Sequence, residues 1–79
     1  MNIKEASKYS IRNKKQLQQS NLAGCYYCCE IFPVSEIKEW TDGGVTAFCP
    51  KCSIDSVLGD GSPYSIDRTT LNKLKNYWF

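Results

Sequence analysis

Cys25-x2-Cys28 and Cys49-x2-Cys52 form two matched pairs, separated by residues 29–48. That interval suits a four-cysteine zinc site. In a CxxC turn both sulfurs can face one point, and two such turns supply the four thiolates of a tetrahedral Zn2+. The sequence contains no histidine, so a site of this type must be all-cysteine. The expectation is one structural zinc ion held by Cys25, Cys28, Cys49 and Cys52.

Other uses of the same thiols fit less well. A disulfide framework suits a small secreted domain, but the N-terminus, MNIKEASKYS, is polar where a signal peptide needs an apolar core. Reduced thiols and a cytoplasmic location are therefore expected. A redox CxxC usually sits between a strand and a long helix of a larger α/β domain. An iron–sulfur cluster uses the same ligands, yet zinc is the commoner occupant of paired CxxC turns in tiny domains. The fifth cysteine, Cys29, can replace Cys28 with x3 spacing from Cys25; it is expected instead as a buried or half-buried thiol beside the site. A thiol or zinc redox switch is a further alternative, and it requires Cys29 to be accessible and acidic.

The elements that must position these cysteines are short. Asn13-Lys14-Lys15-Gln16 has the form of a capping box, with Asn13 as N-cap and Gln16 reaching back to it. A helix is predicted from there to about Ser20, with Leu17 inward and Gly24 beyond its end. Residues 1–12 are expected as a basic arm that orders against another molecule, and residues 13–79 as a single zinc domain. Ser35 is placed to cap a helical turn through Glu36, Ile37 and Trp40. Thr41-Asp42-Gly43-Gly44 signals a turn, and Val45 to Phe48 alternates as a strand into Cys49. Ile54, Val57 and Leu58 keep helical spacing up to Gly59, a helix stop. Asp67 is placed to cap a final helix with Leu71, Leu74 and Trp78 on one stripe. The expected fold is a small, metal-stabilised α+β domain: a treble-clef-like four-cysteine site with a short β-hairpin and flanking helices. In the alternative, a zinc ribbon, a strand follows the second knuckle.

With 79 residues, the chain can bury only a thin core, and such domains often need a metal. Its 42% apolar content and 13% aromatic content place it among ordered chains. No apolar run approaches the ~20 residues of a membrane span. Charge is segregated. Residues 1–20 carry a net +4, with Lys4, Lys8, Arg12, Lys14 and Lys15 against Glu5. Residues 21–62 carry −4, and residues 63–79 return to +2. An acidic zinc core does not suit a finger that lies on phosphates.

The expected function is therefore a non-enzymatic structural-zinc module that binds a macromolecule, a protein first, as an adaptor or inhibitor. Tyr26 and Tyr27, at a rigid turn, are candidate interface anchors. The alternative is nucleic-acid binding through the basic segment, with Arg12, Lys14 and Lys15 on the backbone phosphates. Catalysis lacks components. Cys29 has no histidine to activate it, and Gly59-Asp60-Gly61-Ser62 lacks the lysine and context of a phosphate loop.

Two resemblances rest on longer strings. Cys-Tyr-Tyr-Cys (25–28), Glu-Ile-Lys-Glu-Trp (36–40), Thr-Ala-Phe-Cys-Pro-Lys-Cys (46–52), Ile-Asp-Ser-Val-Leu-Gly-Asp (54–60) and the terminal Trp78-Phe79 resemble a family of small, uncharacterised bacterial cytoplasmic proteins. That likeness covers residues 13–79 and implies no activity. Ile54-Asp55-Ser56-Val57 stands out within it, because neither zinc binding nor helix capping demands that string. The paired CxxC motifs also look like the scaffold of HNH-type ββα-metal nucleases. The segment Glu36 to Gly44 occupies the place of their general-base histidine, and with no histidine the resemblance implies the scaffold without the chemistry.

Overall fold

The fold is built around strands of two to four residues, too short to stand alone. It is described for residues 2–79 by a computed structural model. A 3-10 turn (Ile3–Glu5) runs into α1 (Ala6–Tyr9), and α2 (Lys14–Gln18) follows. Strand β1 (Leu22–Cys25) pairs antiparallel with both β2 (Ile31–Pro33) and β5 (Val57–Gly59). A second small sheet pairs β3 (Trp40–Thr41) with β4 (Thr46–Ala47). The chain ends in α3 (Arg68–Trp78). The class is therefore α+β with antiparallel sheets, as expected.

The central sheet has two buried faces, and the period-2 alternation of its strands sorts the core into two clusters. Ala23, Cys25 and Val57 join Leu17, Phe32, Ile37, Ala47 and Cys49 on the cysteine side. On the other side, Leu58 meets Ala6, Tyr26, Cys29, Tyr64, Leu71 and Leu74. Gly24 lets α3 approach this face closely: a Cβ there would lie 2.8 Å from Leu71 Cδ1. Helix α3 starts where the sequence places it, since the Asp67 carboxylate accepts from the Thr70 amide at 2.7 Å. Its buried stripe is Leu71 and Leu74, while Trp78 stays 39% exposed.

Several local expectations differ from the structure. The helix predicted after Cys52 is absent. Val57, Leu58 and Gly59 form β5, whose register opposite Cys25, Gly24 and Ala23 buries all three residues between the sheet's two faces. A short apolar run bounded by glycine supports either element, and here the long-range pairing wins. The strand also removes the feature on which the treble-clef expectation rested.

The capping box does not form either. Asn13 makes no side-chain cap bond; its amide instead accepts from the Ala47 amide at 3.1 Å and donates to the Val57 carbonyl at 2.9 Å. Gln16 donates to the Tyr9 carbonyl and accepts from the Gly59 amide. Both side chains tie the helical segment to the strands, so tertiary bonds take the place of a local cap. Gly24, expected beyond the helix end, lies within β1.

The N-terminal segment, finally, orders against its own chain. Ala6 is fully buried, Trp78 Nε1 donates to the Ile3 carbonyl at 3.1 Å, and the Tyr64 hydroxyl donates to the Asn2 carbonyl. The turn predicted after Ser35 is shorter than expected, a 3-10 turn over Val34–Glu36, and Trp40 lies in β3.

Candidate metal centre

The four cysteines converge. Their Sγ atoms all lie within 4.8 Å of one another, and each offers one ligand atom. Cys25 Sγ is 3.7 Å from Cys52 Sγ, and Cys28 Sγ is 3.7 Å from Cys49 Sγ. These contacts cross between the two turns. A sulfur tetrahedron with metal–sulfur bonds of about 2.3 Å has edges of about 3.8 Å, so the cluster fits a single bound ion. The same spacing is far outside disulfide length, and all five cysteines are free thiols.

Each half of the site is the same turn made twice. In the first, the Tyr27 amide donates to Cys25 Sγ at 3.3 Å, the Cys29 amide to the Cys25 carbonyl at 2.8 Å, and the Cys25 amide to the Glu30 carbonyl at 3.1 Å. In the second, the Lys51 amide donates to Cys49 Sγ at 3.3 Å, the Ser53 amide to the Cys49 carbonyl at 2.9 Å, and the Cys49 amide to the Ile54 carbonyl at 2.9 Å. The residue after each second cysteine takes the left-handed conformation, Cys29 at φ 61° and Ser53 at φ 66°. Amides aimed at sulfur favour the thiolate that a metal needs.

Ser56 links the turns. Its hydroxyl lies 3.2 Å from Cys25 Sγ and its carbonyl accepts from the Tyr26 amide at 3.0 Å. Burial pushes the Cys25 thiol up, yet the Ser56 hydroxyl and the Cys28 and Tyr27 amides outweigh it and leave its pKa below the ordinary value. Burial prevails elsewhere: Cys49 is pushed up to about 11, and Cys52 is also raised. An arriving ion therefore displaces protons from the raised thiols. The string Ile54-Asp55-Ser56-Val57, unexplained by metal spacing alone, supplies a carbonyl to one turn, a hydroxyl and carbonyl to the other, and the first residue of β5. No local motif marks Ser56 as a sulfur partner, because the contact joins residues distant in sequence.

Cys29 lies outside the cluster. It is 7% exposed, and its Sγ donates to Asn72 Oδ1 at 3.5 Å. Burial raises its pKa despite Lys75 nearby, the opposite of what a reactive thiol requires. Of the tyrosine pair, Tyr27 is 41% exposed but Tyr26 only 4%, with its hydroxyl 2.9 Å from Ser10 Oγ. Tyr26 is thus a core residue and not a free surface anchor. Both tyrosine rings meet Phe79, with centroids at 6.0 Å for Tyr26 and 4.9 Å for Tyr27.

Arg12, Lys14 and Lys15 are exposed and are held beside the β3–β4 hairpin by their backbone. The Arg12 amide donates to Thr46 Oγ1 at 2.8 Å, and the Lys14 amide to the Val45 carbonyl at 3.1 Å. The sequence did not reveal the aromatic group beside the first turn: Phe79, 61% exposed, stacks edge-on against Tyr27 with ring centroids 4.9 Å apart. Tyr77 and Trp78 stack edge-on against each other at 5.1 Å.

The fold and site define a small α+β protein with a four-cysteine cluster that can hold a metal ion. Comparison with protein-family models, curated proteins and solved structures finds no match, so neither sequence resemblance gains support from one. Among the described residues, no helix is long and apolar enough to cross a membrane.

Proposed function

We propose that the cluster is a structural zinc centre and that the protein is a non-enzymatic module that binds another protein. The observation that carries the zinc assignment is the crossed pair of 3.7 Å sulfur contacts within two equivalent amide-lined turns. An all-thiolate tetrahedron suits zinc, a d10 ion without geometric demands of its own. The strand after Cys52 supports the ribbon-like order over the treble clef. With all four ligand positions filled by thiolates, the metal has no open site for water or substrate, which supports a structural role.

The protein-binding part of the proposal draws on the exposed aromatic group Tyr27, Tyr77, Trp78 and Phe79, a residue class enriched at interface cores. Native mass spectrometry of the protein captured from its own cells at moderate salt tests the proposal. The expected result is one zinc per chain and a stoichiometric protein partner that Tyr27→Ala with Phe79→Ala releases. Co-purifying nucleic acid that dissociates as salt rises, and is lost in Lys14→Glu with Lys15→Glu, would replace the protein-binding reading.

A further inference from the structure

The hydrogen bonds that tie residues 2–10 to the rest of the chain end largely on aromatic side chains. The Asn2 carbonyl accepts from the Tyr64 hydroxyl, and the Ile3 carbonyl accepts from Trp78 Nε1 at 3.1 Å. Ser10 Oγ lies 2.9 Å from the Tyr26 hydroxyl. The Tyr9 carbonyl accepts from Gln16 Nε2 at 2.9 Å, and its ring meets Tyr64 edge-on at 5.7 Å.

Little else holds the segment. The 3-10 turn buries no residue and α1 buries only Ala6, while Ile3 and Tyr9 are partly buried against the same apolar cluster. Helices of three and four residues have no stability of their own. A segment with so few buried contacts opens locally at a lower cost than the sheet or α3.

Two of its aromatic partners are joined to Phe79. Trp78 is the preceding residue, and Tyr26 packs against the Phe79 ring with centroids 6.0 Å apart. Phe79 then meets the exposed Tyr27 at 4.9 Å. The segment therefore holds Phe79 from two sides, at Ile3 through the Trp78 indole and at Ser10 through the Tyr26 hydroxyl.

We infer that residues 2–10 form a strap that opens as a unit and, when closed, fixes the Phe79 ring, so that strap closure and the docking of a partner protein on Tyr27 and Phe79 favour each other. The inference rests on the protein-binding reading above. A partner that takes Phe79 in its fixed position meets a surface already ordered, which lowers the ordering cost of binding. By linkage, such a partner stabilises the closed strap by the same factor. The strap thereby controls the docking surface without belonging to it.

Hydrogen exchange of the zinc-loaded full chain, read by mass spectrometry on the native protein and on Phe79→Ala, Tyr26→Phe and Tyr27→Ala, tests the coupling. Zinc content is determined for each. In the native chain the strap amides should exchange together and faster than those of α3 and the cysteine turns. Phe79→Ala and Tyr26→Phe should each speed strap exchange roughly fivefold or more, the loss of about one hydrogen bond's worth of closure, with α3 unchanged. Tyr27→Ala, which removes no contact to the strap, should leave it unaltered. Strap exchange as slow as that of α3, or indifferent to Phe79→Ala, would overturn the inference. Acceleration by Tyr27→Ala equal to that by Phe79→Ala would also overturn it, since the effect would then be general loosening. These readings need no partner, so the native capture above decides the protein-binding reading separately. A coupled strap in a chain that captures no protein would refute that reading and the docking half of the inference together.

Discussion

Ser56 is an uncharged side chain that reaches the four-cysteine cluster from outside it. Its hydroxyl meets Cys25 Sγ from a buried position, and partners of this kind typically carry 10–100-fold in metal affinity. Ser56→Ala is therefore expected to weaken zinc binding by about tenfold or more in competition with a chelator, while the zinc-loaded far-UV spectrum stays unchanged. Ser53 and Cys29 make a second residue-scale case. Both hold a left-handed backbone, which costs an L-residue roughly 1–2 kcal/mol. Ser53 is exposed, so Ser53→Gly should stabilise the loaded protein by about 0.5–1 kcal/mol in denaturant unfolding. Cys29→Ser should keep one zinc per chain, since its sulfur lies outside the cluster. Loss of the metal in Cys29→Ser would show that the ligand set is wrong.

At the scale of elements, the cysteine turns and α3 were legible because their signals are local: a CxxC spacing, an aspartate before an amphipathic run. What was not legible depends on contacts between distant residues. Ile54, Val57 and Leu58 have the spacing of a helix, but β5 is fixed by its register against β1, which no local pattern encodes. Asn13 and Gln16 read as a reciprocal cap, yet their amides bridge β4 and β5. Asn13 is 2% exposed, and its removal leaves the Ala47 amide and the Val57 carbonyl unsatisfied. Asn13→Ala is thus expected to cost about 2–4 kcal/mol, read from the shift of the unfolding midpoint. A loss of only a few tenths, as for an exposed surface residue, would contradict this bridging role. Gly59 belongs to the same joint: a Cβ there would meet Ser20 and lie 2.9 Å from Leu17 Cδ2. Gly59→Ala should destabilise by about 1–3 kcal/mol through that clash.

Across the whole molecule, the cysteine spacing foretold the four-cysteine cluster, but not how the ends of the chain close upon it. The N-terminal turn is tied to α3 by Trp78 and to the preceding loop by Tyr64, and Asn72, Arg68 and the terminal Phe79 reach the first cysteine turn. Each apolar cluster contains cysteine: Cys25 and Cys49 in one, Cys29 in the other. With clusters this small, the metal is expected to supply much of the folding free energy, as in other small metal-stabilised domains. The most direct test of that claim is native mass spectrometry of the purified chain, before and after chelation, paired with far-UV circular dichroism. The predicted result is one zinc per chain, removed by chelator with loss of the folded spectrum, and no zinc at all in Cys52→Ser. A folded metal-free chain, or a mass lowered by two disulfides in place of the metal, would contradict the structural zinc centre.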